Sequence, residues 1–201
     1  VGDMNSTLIN EQIYLKLITY KLGFSAQAST NEWAVLKNEL IDGTLRVSDY
    51  LPSKNVLMPF SQWIEISSSK DIQERSLRGE IGVWFSVEDD ILKYSDLIYA
   101  GKKLWSIIAI DFPIFRDGRG FSTAALIRQR FGWQGELRAI GDVLIDQLIQ
   151  LSRVGFDSFE LRDDQDLITA LKQFDLFTVT TQNAWRAKRS LIALPERLET
   201  T

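Results

Sequence analysis

The chain has 201 residues, 45 % of them hydrophobic and 25 % charged, with a net charge of −4. That is the composition of one globular domain, and its acidic balance argues against a nucleic-acid partner. The chain contains no Cys and no His, which excludes disulfides, thiolate chemistry, cysteine-ligated iron–sulfur clusters and a histidine general base, and leaves no ordinary zinc site.

Residues 6–22 read as an amphipathic helix. Ser6 or Thr7 stands where a cap is needed, Ile9, Ile13, Leu17 and Tyr20 recur on one face, and Gly23 supplies a stop. The opening residues lack the basic start and apolar centre of a secretory signal, and no apolar run approaches the roughly 20 residues that cross a bilayer. A cytoplasmic protein without a membrane segment is expected. Residues 25–30 (SAQAST) read as a linker. The helix would either pack on the main domain or serve as an arm for a partner or a second copy.

From residue 31 the pattern changes. Residues 32–37 suit a short strand, and Asp42-Gly43 a turn. Residues 55–59 (NVLMP) suit a strand that Pro59 ends. Residues 61–77 suit a helix weakened by Ser67–Ser69. Residues 80–85 (EIGVWF) form the next strand pattern. Ser86 with Asp89 three residues on approaches a capping box for a helix to about residue 100. Residues 105–111 (WSIIAID) are apolar on both faces, as a strand covered by helices on both sides should be.

A helix over 122–131 and a strand over 136–140 follow. Gly141 turns the chain, Asp142 caps a helix to residue 154, and Gly155 ends it at the position usually taken by a left-handed glycine. Residues 156–161 read as a strand. Asp163 or Asp164 caps a helix to about residue 174. A last strand is expected at 177–180, and Pro195 interrupts a tail with a helical middle.

The alternation predicts an α/β fold. About five or six parallel strands alternate with helices through right-handed crossovers, as an open sheet or a partial (β/α) barrel, since a full barrel needs eight units. The expected organisation is a helical extension and linker over 1–30, an α/β core over 31–181 and a tail over 182–201. A partial barrel has edges to cover, so a homo-oligomer is expected.

In such sheets ligands bind beyond the carboxyl ends of the strands. Three corners fall there: residues 111–120 (DFPIFRDGRG), 140–142 (IGD) and 161–166 (LRDDQD). Asp117-Gly118 suits a tight turn, and Gly120 lets the backbone approach a ligand or a neighbouring strand. Ser122 lies near the next helix N-terminus, where free N–H groups favour an anion, and Arg119 adds a bidentate donor pair.

Arg138 is flanked by Leu137 and Ala139 in a strand, so it points away from both, toward the polar end of the sheet or across to Asp111. Arg128 and Arg130 differ by two and face different ways. Three readings stay open, one of them a protein-docking surface. Arg119, Gly120, Ser122, Arg138, Gly141 and Asp142 form an anion pocket in one concave mouth, with Asp117 or Asp142 as proton carriers. Alternatively, five arginines (116, 119, 128, 130, 138) and five acids between residues 111 and 146 form ion pairs that fix the loops. The six Trp read as core packing, and Asp163, Asp164 and Asp166 as a solvated helix start. No metal site is expected, and no cofactor fingerprint is present.

The ordered blocks FPIFRDGRG (residues 112–120), GELRAIGDVLIDQL (135–148) and GFDSFEL (155–161), with paired arginines on the helix after the first block, resemble the domain of unknown function 934 family of bacteria. The likeness extends more loosely over about residues 31–181. The family is labelled a probable oxidoreductase of sulfite reduction, because its genes lie beside those for sulfite reductase and sulfate activation. The resemblance implies a role in assimilatory sulfur metabolism, with sulfite reductase or a small anion bound at the carboxyl edge. The alternative it implies is an oxidoreductase, or another enzyme acting on a small oxyanion or carboxylate, using a borrowed soluble cofactor whose identity the residues leave unknown.

Overall fold

A computed structural model describes residues 16–21, 24–36 and 55–175. The strands are β1 (Leu17–Thr19), β2 (Gln27–Ser29), β3 (Trp33–Val35), β4 (Asn55–Pro59), β5 (Ile81–Phe85), β6 (Ile107–Phe112), β7 (Glu136–Gly141) and β8 (Ser158–Glu160). The helices are α1 (Phe60–Ile66), α2 (Lys70–Leu77), α3 (Ser95–Gly101), α4 (Arg119–Gln129), α5 (Leu148–Val154) and α6 (Leu167–Gln173). The fold is α/β, a curled open sheet of mostly parallel strands in a half-barrel. The order is β2-β1-β8-β7-β6-β5-β4-β3. Strands β3 to β8 pair in parallel, and β1 joins β8 and β2 antiparallel.

Sequence order follows sheet order from β3 to β8. Crossovers of one hand, stepping always in one direction, place the helices on one face, where helices on both sides of β6 were expected. The period of two along each strand then divides the side chains. On β6, Ile108, Ile110 and Phe112 enter the helix-side core, while Ile107 and Ala109 join Leu57, Trp84 and Ile140 on the inner face. Each fully buried Ile contributes roughly 2 kcal/mol by removal from water, so β6 reads as an unbroken apolar run because both of its faces are covered.

Strands β2 and β3 stand at opposite edges of the sheet yet are joined by residues 30–32 alone. Three residues span at most about 14 Å, so the sheet has to curl until its edges approach. The connecting segment crosses the inner face. Asn31 bonds Arg138 on β7 and Glu160 on β8, and Trp84 donates its indole N–H to the Leu36 carbonyl at 2.8 Å. Trp33 and Val35 pack on the inner apolar cluster.

Several expectations change. The helix expected over 6–22 is strand at Leu17–Thr19, and the linker expected over 25–30 contains the strand Gln27–Ser29. Both belong to the main sheet. Ile18 is fully buried because β8 supplies a ladder on one side and β2 on the other. Residues 6–15, the stop at Gly23, the Asp42-Gly43 turn, the strand over 177–180 and the tail lie outside the described residues.

The helix expected over 61–77 is two, parted at residues 67–69. The one expected over 86–100 is a run of turns followed by α3, although Asp89 does accept the Ser86 N–H at 2.7 Å. Asp142 does not cap a helix; a single 3-10 turn, Ile145–Gln147, leads into α5. Asp166, not Asp163 or Asp164, caps α6, accepting from Thr169 N–H.

Candidate functional site

The carboxyl ends of β6, β7 and β8 bring three loops together. In the β6–α4 loop, Asp117 accepts the Arg119 backbone N–H at 3.0 Å and is ion-paired with its guanidinium at 2.6 Å. Arg119 also pairs with Glu88 at 2.8 Å. These bonds lower the Asp117 pKa and raise that of Arg119. Helix α4 begins at Arg119, so Ser122 is an exposed residue of its first turn. The carboxylate at this helix start is the chain's own Asp117.

The glycines at this corner serve the fold. Gly118 has φ −73°, so the turn makes no use of a left-handed residue there. At Gly120 a Cβ would stand 2.5 Å from the Phe112 ring, so this glycine lets α4 lie close on β6. Of the two approaches open to it in the sequence, the neighbouring strand is the one observed.

Behind this corner Phe115 is clamped through its backbone. Its N–H donates to Asp142 Oδ2 at 2.8 Å, and its carbonyl accepts from Gln147 Nε2. Asp142 is held in turn by Arg162 at 2.6 Å, and Arg162 also grips Asp164. Asp164 takes a further bond from Gln165, whose Oε1 accepts the Ile145 N–H. The Phe115 N–H first, then Arg162, hold the Asp142 carboxyl below the usual range, and Arg162 does the same for Asp164.

A carboxyl whose folded pKa is depressed contributes stability that is present above its unfolded pKa, about 4, and is lost as pH falls through the folded value. The clamp is therefore expected to be closed at pH 7 and to open in acid, below the ordinary carboxylate range. The Phe115 amide resonance, followed by NMR from pH 7 to pH 2, checks this. In Asp142→Asn the side-chain oxygen still accepts the N–H but does not titrate, so the acid transition of that resonance should disappear. An unchanged transition would show that Asp142 is not its source.

Arg138 lies elsewhere, on the inner face at 3 % exposure. Its partners are Glu136 at 2.8 Å, Ser158 at 3.3 Å and Asn31 at 2.8 Å, where Asp111 or a polar sheet end was expected. Asn31 also donates to Glu160, whose pKa burial raises. Arg119 and Arg138 are thus held by separate partners, the first at the carboxyl corner and the second beneath the segment that crosses the inner face.

Arg128 is fully buried with carbonyl partners and Asp157, while Arg130 is exposed. Gly141 takes φ +88° against Asp111 and the Phe112 carbonyl, and so sets the position of Asp142. The structure brings Asp117, Arg119, Gly120, Ser122, Gly141 and Asp142 to one sheet edge and sets Arg138 apart.

Sequence reasoning missed Arg162 and Glu88. Arg162 follows the last residue of a strand pattern and precedes two aspartates, a signal that could have marked it. Glu88 carried none. An open cleft of about 680 Å³ lies at the opposite, amino edge, lined by Thr19, Tyr20, Lys21, Gln27, Glu136 and Asp157 among others. No strand-end motif pointed to it. Among the described residues no helix is long and apolar enough to cross a membrane, and no three acidic residues are grouped to hold a metal.

A family model described as a bacterial protein of unknown function (DUF934) matches residues 82–192, which contain this whole carboxyl edge from Glu88 to Gln165. No curated protein and no solved structure matches the chain.

Proposed function

The chain belongs to the bacterial family of unknown function DUF934, and on that premise we propose that it is a non-catalytic accessory protein of assimilatory sulfite reduction, docking the reductase at the carboxyl edge of its sheet. One observation carries the reading: the two arginines at the base of this edge, Arg119 and Arg162, are already taken by carboxylates of the chain. Arg119 lies between Asp117 and Glu88, and Arg162 between Asp142 and Asp164. An external oxyanion would have to displace a carboxylate held at 2.6 Å and take the place of Asp117 at the start of α4.

The alternative, an enzyme that holds a small oxyanion and moves a proton through Asp117 or Asp142 with a borrowed cofactor, requires a carboxyl whose pKa is raised toward neutrality. Both carboxyls are shifted the other way, by Arg119 and by the Phe115 N–H with Arg162. Each is a fixed anion at pH 7. Rigid loops cross-tied by ion pairs suit a surface that another protein reads.

Two measurements test the role. The reductase should co-purify with the tagged chain, and deletion of the gene should slow growth on sulfite or sulfate as sole sulfur source. Absence of both effects would remove the proposal. The purified protein should also be colourless; a flavin absorption band or NAD(P)H-dependent turnover would move the assignment to an oxidoreductase.

A further inference from the structure

Ile114 is 53 % exposed and Phe115 39 %, and Arg116 beside them is also exposed. Together they form the tip of the β6–α4 loop. An exposed apolar residue is unremarkable when single, whereas adjacent ones on a fixed backbone are not. Here the backbone is held at three points. Asp142 and Gln147 take both polar groups of Phe115, and the Asp117 N–H donates to the Ile114 carbonyl at 2.9 Å. With these groups satisfied internally, what the loop offers outward is the row of side chains.

Arg116 stands apart from the other ionic groups of this edge. Its guanidinium lies 5.7 Å from the Phe115 ring centroid, and it has no carboxylate partner among the described residues, whereas Arg119 and Arg162 have two each. Aromatic and arginine side chains are enriched among the residues that dominate protein interfaces, the ring because it brings a large apolar area at little ordering cost and the guanidinium because its planar fork matches a carboxylate.

We propose that the Ile114–Phe115–Arg116 tip is the anchor by which this chain docks on its protein partner, and that the partner offers an apolar pocket with a carboxylate at its rim. The proposal rests on the docking reading above and adds the residues and the chemistry of the partner. Charge complementarity selects the occupant. One unpaired cation, set near the carboxylates Glu88, Asp117, Asp142 and Asp164, is matched by a single discrete carboxylate. A polyanionic nucleic acid or lipid surface would be repelled by the excess of these four carboxylates over Arg119 and Arg162, and by the net charge of −4.

The test measures binding of the full-length chain to purified assimilatory sulfite reductase from the same organism by biolayer interferometry. Phe115→Ala is expected to weaken Kd at least about thirtyfold, the effect of losing one interface hot spot. Arg116→Glu is expected to weaken it about tenfold or more. Ile168→Ala, which truncates an equally exposed isoleucine on α6, should leave Kd unchanged. Unaltered melting curves for Phe115→Ala and Arg116→Glu separate docking from folding.

Binding by Phe115→Ala within twofold of the wild type overturns the anchor and leaves the docking role standing. A wild-type chain that does not bind the reductase at all brings down both. A tip-dependent dimer in sedimentation, abolished by Phe115→Ala, would make a second copy the occupant and overturn the proposed partner.

Discussion

Arg128→Ala is expected to cost about 3–5 kcal/mol of folding stability, the range for leaving a buried polar network without its charged partner. The side chain is wholly buried. Its Nε and Nη2 donate to the Gly155 carbonyl at 2.9 and 2.8 Å, Nη1 to those of Trp133 and Gly135 at 2.7 and 2.8 Å, and Nη2 also to Asp157 at 2.6 Å. The five N–H groups of a guanidinium are thereby matched to three backbone carbonyls and one carboxylate.

These acceptors sit where β7 and β8 begin, so one side chain ties the end of α4 to two strand entries. Removal leaves three carbonyls without this donor and takes from Asp157 its bond at 2.6 Å, while the Leu137 N–H at 3.1 Å stays. Arg128→Lys should be nearly as damaging, because three donors on a tetrahedral ammonium cannot reproduce a planar fork. Urea denaturation checks this through a lower midpoint with unchanged slope, and the melting temperature should fall by roughly 10 °C or more. The double variant Arg128→Met with Asp157→Asn should show a coupling of about 1–3 kcal/mol. A loss below about 1 kcal/mol would mean that water replaces the guanidinium, and that the burial carries less than argued.

Arg128 also shows what a sequence conveys and what it withholds. Helical spacing put Arg128 and Arg130 on different faces, and the structure buries one and exposes the other. The acceptors for the buried one are carbonyls, which leave no mark in the residue string. The strands β4 to β6 were readable because a strand covered on both faces is mostly apolar, and β7 was readable in spite of Arg138 in its middle. Gly155 at φ +125° was readable because that backbone region favours glycine.

Leu17–Thr19 was misread because an apolar residue every three or four positions mimics a helix. Its true ladder partners, Glu160 and Ser29, become neighbours only after the sheet has formed. The same limit hid the Asn31 partner of Arg138, although Glu136 lies only two residues away. Asn31 lies 107 residues earlier in the chain, brought near by a curl that no local pattern encodes. The carboxyl edge was found from strand ends and turns, while the pairing of its charged groups depended on Glu88, which reaches Arg119, and on Arg162, which reaches Asp142, both from other loops.

Gly141→Ala is expected to lower stability by about 2–5 kcal/mol, because the residue holds φ +88° and a Cβ there would stand 2.5 Å from both Asp111 Oδ1 and the Phe112 carbonyl oxygen. Backbone strain of this kind costs about 1–3 kcal/mol, and forced overpacking a similar amount. The Asp111 contact is to a side chain, whereas the Phe112 carbonyl is main chain and accepts the Asp142 N–H at 2.7 Å. Relief of the clash therefore moves Asp142, and with it the acceptor of the Phe115 N–H.

Two readouts should change together: a lower denaturation midpoint, and faster hydrogen exchange at the Phe115 amide than global unfolding accounts for. Gly118→Ala is the contrast, since φ there is −73° and nothing lies within 4 Å of the added methyl; it should stay within about 1 kcal/mol of the parent. If Gly141→Ala lost stability while Phe115 kept its parental exchange, the bend at β7 would serve the sheet alone. If the two fall together, a single glycine links the strand ladder to the loop that presents Phe115, and a partner reading that loop would respond to a substitution it never touches.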